Sequence, residues 1–152
     1  MRSFVRSLVL CTALLVAPAR AFSAEEPLDI IVNVSSPIGH LSGAEVEAIF
    51  TRSLTRWNDG TALIPLNLPS GSPERDRFDR TVLRLGPDEV SRFWFDRRVR
   101  GLGLPPKQVP DSTLMLGVVS NLKGSIGYLP ASRARSGVKV VARITDGRLS
   151  PP

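Results

Sequence analysis

The feature that most constrains how this chain can fold is the run LDIIVNVSS, residues 28–36. Ile30, Ile31, Val32 and Val34 are β-branched and almost uninterrupted, so both faces of the strand they form are apolar. A strand of that kind has to be covered on both sides, which places it inside a layered structure rather than on a half-wet sheet. The turn Ser35-Ser36-Pro37 ends it.

Helices able to cover such a strand follow at once. In LSGAEVEAIFTRSLTRW, Ser42 stands as N-cap, Glu45 three residues later closes a capping box, and Leu41 faces Val46 as a hydrophobic staple. Val46, Ile49, Phe50 and Leu54 then share one face. Asn58, Asp59 and Gly60 predict a turn, and Ala62 to Leu68 a short strand in which Pro65 argues for a sheet edge. In LPSGSPERDRF, Ser72 is placed to cap a second helix, with Pro73 at its first position and Glu74 and Asp76 near the positive end of its dipole. Phe78, Val82 and Leu85 keep helical spacing up to Gly86. Pro87 and Asp88 begin a third helix with Val90, Phe93 and Trp94 on its apolar face. Ser112 is placed to cap a fourth helix carrying Leu114, Met115, Val118, Val119 and Leu122. GSIGYLP and VKVVARI read as closing strands, and TDGRLSPP as a loose tail. Strands alternating with helices over one domain's length predict an α/β fold whose sheet is at least partly parallel.

The first residues bear on compartment and charge. Arg2 and Arg6 precede an apolar stretch from Leu8 to Val16, and Ala19 and Ala21 sit at signal-peptidase spacing, so residues 1–21 read as a secretory leader cleaved after Ala21, with Ala24 the alternative. The apolar run is too short to span a bilayer. Cleavage removes three of the 20 basic residues and none of the 14 acidic ones, leaving 17 against 14, so the mature charge is +3 rather than +6. The lone cysteine, Cys11, goes with the leader, which excludes a disulfide framework and a thiol nucleophile. Arg92, Arg97, Arg98 and Arg100 cluster at the end of the third helix, where cations suit the dipole; they read as a solvated helix end rather than a nucleic-acid patch.

Elimination disposes of most catalysis. His40 is the single histidine, in a loop beside Gly39, and one histidine without cysteine or clustered acids is a poor metal site. Glu45 and Glu47 point to different faces of their helix, and there is neither a Walker A motif nor a strand followed by Gly-x-Gly-x-x-Gly. Anion binding demands less. Gly71 lets a backbone approach closely, the first N–H groups of the following helix converge, and the hydroxyls of Ser70 and Ser72 add donors. Most N-caps bind nothing, so a plain cap and turn at Ser70 to Ser72 is the default against which a cradle is weighed.

Taken in order, DIIVNVSSPIGHLSGAEVEAIFTRSLTRWNDG, SGSPERDRF, FWFDRRVRGLGLPP and GSIGYLP resemble the phosphate-binding components of ABC transporters, within the periplasmic binding protein superfamily. Leu41, Ser42, Ile49, Phe50, Trp57 and Asp59 carry the first part of the likeness. Ser70, Gly71, Trp94, Gly101, Gly103, Ile126, Gly127 and Tyr128 carry the rest, over roughly residues 28–142. The resemblance implies one lobe of a two-lobed clamp, with the loop at Ser70 and Gly71 donating to phosphate. Ser72 stands where the family has threonine. Leu66 stands where it has an arginine able to give a charge-assisted contact. The opposite lobe is missing from a chain of this length.

The expectations are therefore a polar lead over residues 22–27 and a single periplasmic-binding-protein-like α/β lobe over residues 28–143. Its sheet is mixed and mostly parallel, flanked by helices, and residues 144–152 form a flexible tail. Ser70, Gly71 and Ser72 are the expected ligand residues, followed by Ser35 and Ser36 after the first strand, with no catalytic group, cofactor or metal. Trp57, Phe93, Trp94 and Tyr128 are expected in the core or at its edge. The expected setting is the periplasm, and the expected ligand phosphate or a related oxyanion. A homodimer or a periplasmic partner protein would supply the missing wall, with neither nucleic acid nor membrane insertion involved. The alternative is an interaction module without a ligand, docked on a sensor, transporter or envelope protein.

Overall fold

Six strands form one mixed sheet in the computed structural model, which describes residues 25–152. The expected leader, and residues 22–24 of the polar lead, lie outside the described residues. The strands are β1 (Leu28–Asn33), β2 (Ile64–Asn67), β3 (Lys107–Gln108), β4 (Ser125–Pro130), β5 (Val138–Thr145) and β6 (Arg148–Ser150). Their order across the sheet is β3-β2-β4-β1-β5-β6. Four helices accompany them: α1 (Gly43–Phe50), α2 (Pro73–Phe78), α3 (Pro87–Val99) and α4 (Ser112–Asn121).

The apolar run has the predicted fate through Val32, since all six residues of β1 are buried, whereas Val34 lies past the strand's end and is exposed. Alternation along β1 and β4 sends Ile30, Val32, Ile126 and Tyr128 to one face, and Ile31 and Gly127 to the other. On the first face α1 and α2 meet: Phe78 stacks on Tyr128 with ring centroids 4.0 Å apart, and Phe50 lies 4.5 Å from Phe78. On the second lies α4, packed so closely that a Cβ at Gly127 would overlap Met115 Sδ. Asn33 ties the same helix to β1 by donating to the Val119 carbonyl at 3.0 Å and the Ser120 carbonyl at 2.8 Å.

Strand directions differ from the sequence expectation. The sheet is mixed, as expected, but only β2–β3 and β2–β4 pair in parallel. β1 runs antiparallel to both its neighbours, and β6 antiparallel to β5. Burial on both faces followed from the central position of β1, not from parallel pairing. Pro65 keeps to its rule, because β3 covers only Leu66 and Asn67 and leaves Pro65 at the bare part of the edge.

The tail is a second correction. Residues 144–152 are not loose: β5 continues to Thr145, a turn at Asp146 and Gly147 reverses the chain, and β6 pairs back with Ile144 opposite Leu149. Asp-Gly is a strong hairpin signal, and here it is followed by residues that pair. Smaller departures are local. Helix α1 stops at Phe50 with Arg52 in the left-handed region, which leaves Leu54 exposed instead of on the buried stripe. α2 runs on as one π-helical turn, Asp79–Leu83, closed by a left-handed Arg84 before Gly86 caps α3. Asp111, not Ser112, caps α4 by accepting from the Leu114 N–H at 2.8 Å. Among the described residues the buried apolar core runs from Leu28 to Ile144.

Candidate functional site

The carboxyl ends of β2, β3, β4 and β5 all point to one end of the sheet, because β4 and β5 oppose the same residues of β1: Leu28 faces both Pro130 and Ile144. Crevices beyond the carboxyl ends of strands are where open α/β sheets take ligands. The loop from Leu68 to Ser72 leaves β2 there.

This loop is fastened from below. The Leu68 N–H donates to Tyr128 Oη at 3.3 Å, and the Leu68 carbonyl accepts from Arg75 Nη1 at 3.2 Å. Arg75 also donates from Nε to Asp79 Oδ2 at 2.6 Å, and its Nη1 and Nη2 lie 3.0 and 3.3 Å from the Asn67 amide oxygen once that amide is turned toward the guanidinium. Both charges are buried. Burial pushes the Asp79 carboxyl above the usual carboxylate range, while the adjoining Arg75 charge pulls it back. Burial likewise raises the Tyr128 hydroxyl, which stays neutral as a hydrogen-bonding post. The Arg75 charge is spent on holding the loop.

Above this support, Ser70 and Gly71 are exposed, and Gly71 takes φ +83°. A Cβ at Gly71 would meet nothing within 4 Å, so the glycine serves the turn's conformation rather than relief of crowding. Ser72 behaves as the cap: its Oγ donates to the Pro69 carbonyl at 2.9 Å and accepts from the Arg75 N–H at 3.3 Å. A small recess of about 70 Å³ at Ser70 and Gly71 is lined by Arg75, Asp76, Asp79 and the start of α3, and two further recesses flank the loop. One of about 180 Å³ lies between Ser72 and the start of α4, with Glu74 and Asp111 in its wall. The other, of about 430 Å³, runs from Gly71 past Arg77, Arg80 and Thr81 to Gly147, with Glu25 and Asp76 also in its wall. Arg77 Nη1 reaches Glu25 at 3.2 Å, and its buried Nε has no hydrogen-bond partner. Arg80 was missed in the sequence; its spacing of three from Arg77 on a continuing helix was the available signal.

Ser35 and Ser36 do not join this site. Since β1 is antiparallel to β4, its carboxyl end lies at the other end of the sheet, where Val34 N–H bonds the Gly137 carbonyl. Ser35 donates from both N–H and Oγ to Asn33 Oδ1, at 2.9 and 2.7 Å, and Ser36 Oγ accepts from the Ile38 N–H at 3.3 Å. They form a local turn, and the expectation that they face the same cleft is corrected. Leu66 is buried in the core. Trp57, Trp94 and Tyr128 are buried and Phe93 is half-buried, as expected. His40 is exposed, and among the described residues no group of three His, Cys, Asp or Glu side chains could hold a metal ion.

No protein-family model matches the sequence, and no curated protein matches it. Solved structures do match in fold. The ABC-type phosphate transport receptor of Vibrio cholerae superposes with a TM-score of 0.63 at 16% identity, over 78% of this chain and 46% of that one. A Clostridium perfringens protein described as a phosphate ABC transporter substrate-binding protein, solved with bound phosphate, gives 0.64 at 20% over 78% and 45%. PstS of Borrelia burgdorferi gives 0.62 at 16% over 78% and 47%. This chain therefore has an α/β fold shared with these phosphate-transport binding proteins, and it spans less than half the length of each.

Proposed function

We propose that this chain is an exported binding lobe that takes up phosphate or a related oxyanion at the loop Ser70-Gly71-Ser72. The observation that carries the reading is the left-handed Gly71 turn, held from below by Tyr128 and Arg75 at the carboxyl ends of the strands. Gly71 and Ser70 are exposed there; Gly71 lines the recess that holds Arg77 and Arg80, and Ser70 the small recess beside Arg75 and Asp76. The other recess is walled by Glu74 and Asp111 and repels an anion.

Ser72 contributes by ordering the loop, since its hydroxyl is already engaged at both ends. With Arg75 spent internally and Leu66 in the core, the direct ligand set is small. Each hydrogen bond to a charged group is worth about 1.5–3 kcal/mol, and an open surface leaves water in competition. Affinity for the isolated lobe is then weak, in roughly the millimolar range. A second copy or a partner protein in the periplasm, set against the loop, would enclose the ligand.

Isothermal titration of the exported form, residues 22–152, with phosphate, with sulfate as the control, tests the reading. Heat that saturates with phosphate and disappears in Ser70→Ala supports it. No heat at saturating phosphate, alone or after the lobe is concentrated enough to self-associate, favours the interaction module, for which the core position of Leu66 is the supporting observation.

A further inference from the structure

Helix α3 is apolar on two faces, and only one of them is used. Val90 and Trp94 are buried against the body, whereas Phe95 and Val99, four residues apart, turn toward solvent and are 70% and 71% exposed. The loop that follows adds Leu102 and Leu104, 54% and 62% exposed. The display is built rather than incidental. Leu102 N–H donates to the Arg97 carbonyl at 2.8 Å, and Arg97 Nη2 donates back to the Leu102 carbonyl at 3.1 Å, folding the loop onto the last turn. The Arg97 guanidinium is itself held over the rings of Phe93 and Trp94, 5.5 and 5.9 Å from their centroids.

Charge around these side chains is mostly positive. Between residues 92 and 107 stand five cations, Arg92, Arg97, Arg98, Arg100 and Lys107, and one acid, Asp96, which is paired with Arg100. Singly scattered apolar residues on a surface need no explanation, but four at one helix end within a cationic rim do. A second copy of the chain would bring the same cations and be repelled.

We propose that this end of the molecule adsorbs to an anionic phospholipid surface, with Phe95, Val99, Leu102 and Leu104 entering the headgroup layer and the arginines lying among the phosphates. A trough of about 490 Å³ adjoins the loop, between Leu102–Lys107 and Leu63–Pro65. An occupant of that trough would cover Leu102 and Leu104 but leave Phe95 and Val99 bare. A flat anionic layer covers the stripe, the loop and the cations together. The start of α3 lies beside Ser70 and Gly71, and the helix places Phe95 and Val99 about 12 and 18 Å along its axis from there, so the patch is separate from the candidate loop.

Flotation of the exported form, residues 22–152, with phosphatidylcholine vesicles, with and without about 30% phosphatidylglycerol, is the test. Expected are flotation with the anionic vesicles alone, its loss near 1 M salt where the Debye length is about 3 Å, and about fivefold weaker partitioning in Arg98→Glu for each unit of charge changed. The solvent-facing pair Phe95→Ser and Val99→Ser leaves the unfolding midpoint in place and abolishes flotation. In Phe95→Trp, emission shifts to the blue on vesicle addition. Absence of flotation with anionic vesicles, equal flotation with neutral ones, or flotation unchanged in the Phe95→Ser and Val99→Ser variant overturns the proposal. Phosphate titration is silent on all three, so the proposal and the ligand reading fail separately.

Discussion

Arg75 Nε and Asp79 Oδ2 lie 2.6 Å apart, one helical turn from each other, and both side chains are almost entirely buried under the loop that leaves β2. The pair converts a charge within reach of the candidate ligand into a strut. Its other hydrogen bonds, to the Leu68 carbonyl and Asn67, anchor the chain where it turns toward Ser70.

Asp79→Ala is therefore expected to destabilise the fold by about 3–5 kcal/mol, because it strands a buried guanidinium. Replacing both partners, Arg75→Met with Asp79→Leu, should recover much of that loss. Urea unfolding of the three variants checks it; a double variant as unstable as Asp79→Ala would show that the pair does more than neutralise itself.

At Gly71 the expected cost is one of backbone alone. A methyl group meets no neighbour there, but φ +83° belongs to the left-handed region, so Gly71→Ala should cost about 1–2 kcal/mol. Gly71→Asn should cost less, since asparagine visits this region more readily. Equal unfolding midpoints for wild type and Gly71→Ala would contradict the assigned turn.

Gly127 sets the opposite test, because it is closely covered. Any side chain there meets Met115 Sδ, so Gly127→Ala should destabilise by about 1–3 kcal/mol through overpacking. Met115→Ala in the same chain opens the space and should make the added methyl nearly neutral. Additive losses in the double variant would place the damage elsewhere.

The α1 cap ties stability to pH. Ser42 donates to Glu45 from its Oγ at 2.7 Å and its N–H at 2.8 Å, and these bonds hold the Glu45 carboxyl below its ordinary range. A depressed carboxylate contributes stability above its unfolded pKa, about 4.3, and loses it as pH falls through the lower folded value. Ser42→Ala should cost about 1 kcal/mol at neutral pH. The gap between wild type and variant should narrow as acid titrates Glu45, which thermal unfolding followed from neutral pH into the acid range would show. A gap that stays constant would mean that Glu45 takes no part in the cap.

What the chain states locally was legible. The capping box at Ser42 and Glu45, the Ser72 cap with Pro73, the start of α3 at Pro87 and the buried run of β1 all depend on residues within four positions of each other, or on simple apolar count. The Ser70-Gly71 turn belongs with these. Direction and company did not follow from neighbours in sequence. Whether β1 runs with or against β4 is settled by pairing residues about a hundred positions apart, and that choice alone sends Ser35 and Ser36 to the far end of the sheet from Ser70. The same holds for the tail, which gains order only by pairing with β5, and for Arg75, whose charge is turned inward by Asp79 and the Leu68 carbonyl. Local hydrogen bonding and hydrophobic pattern determine which segments exist; long-range pairing and burial decide which of their polar groups are left to meet a ligand.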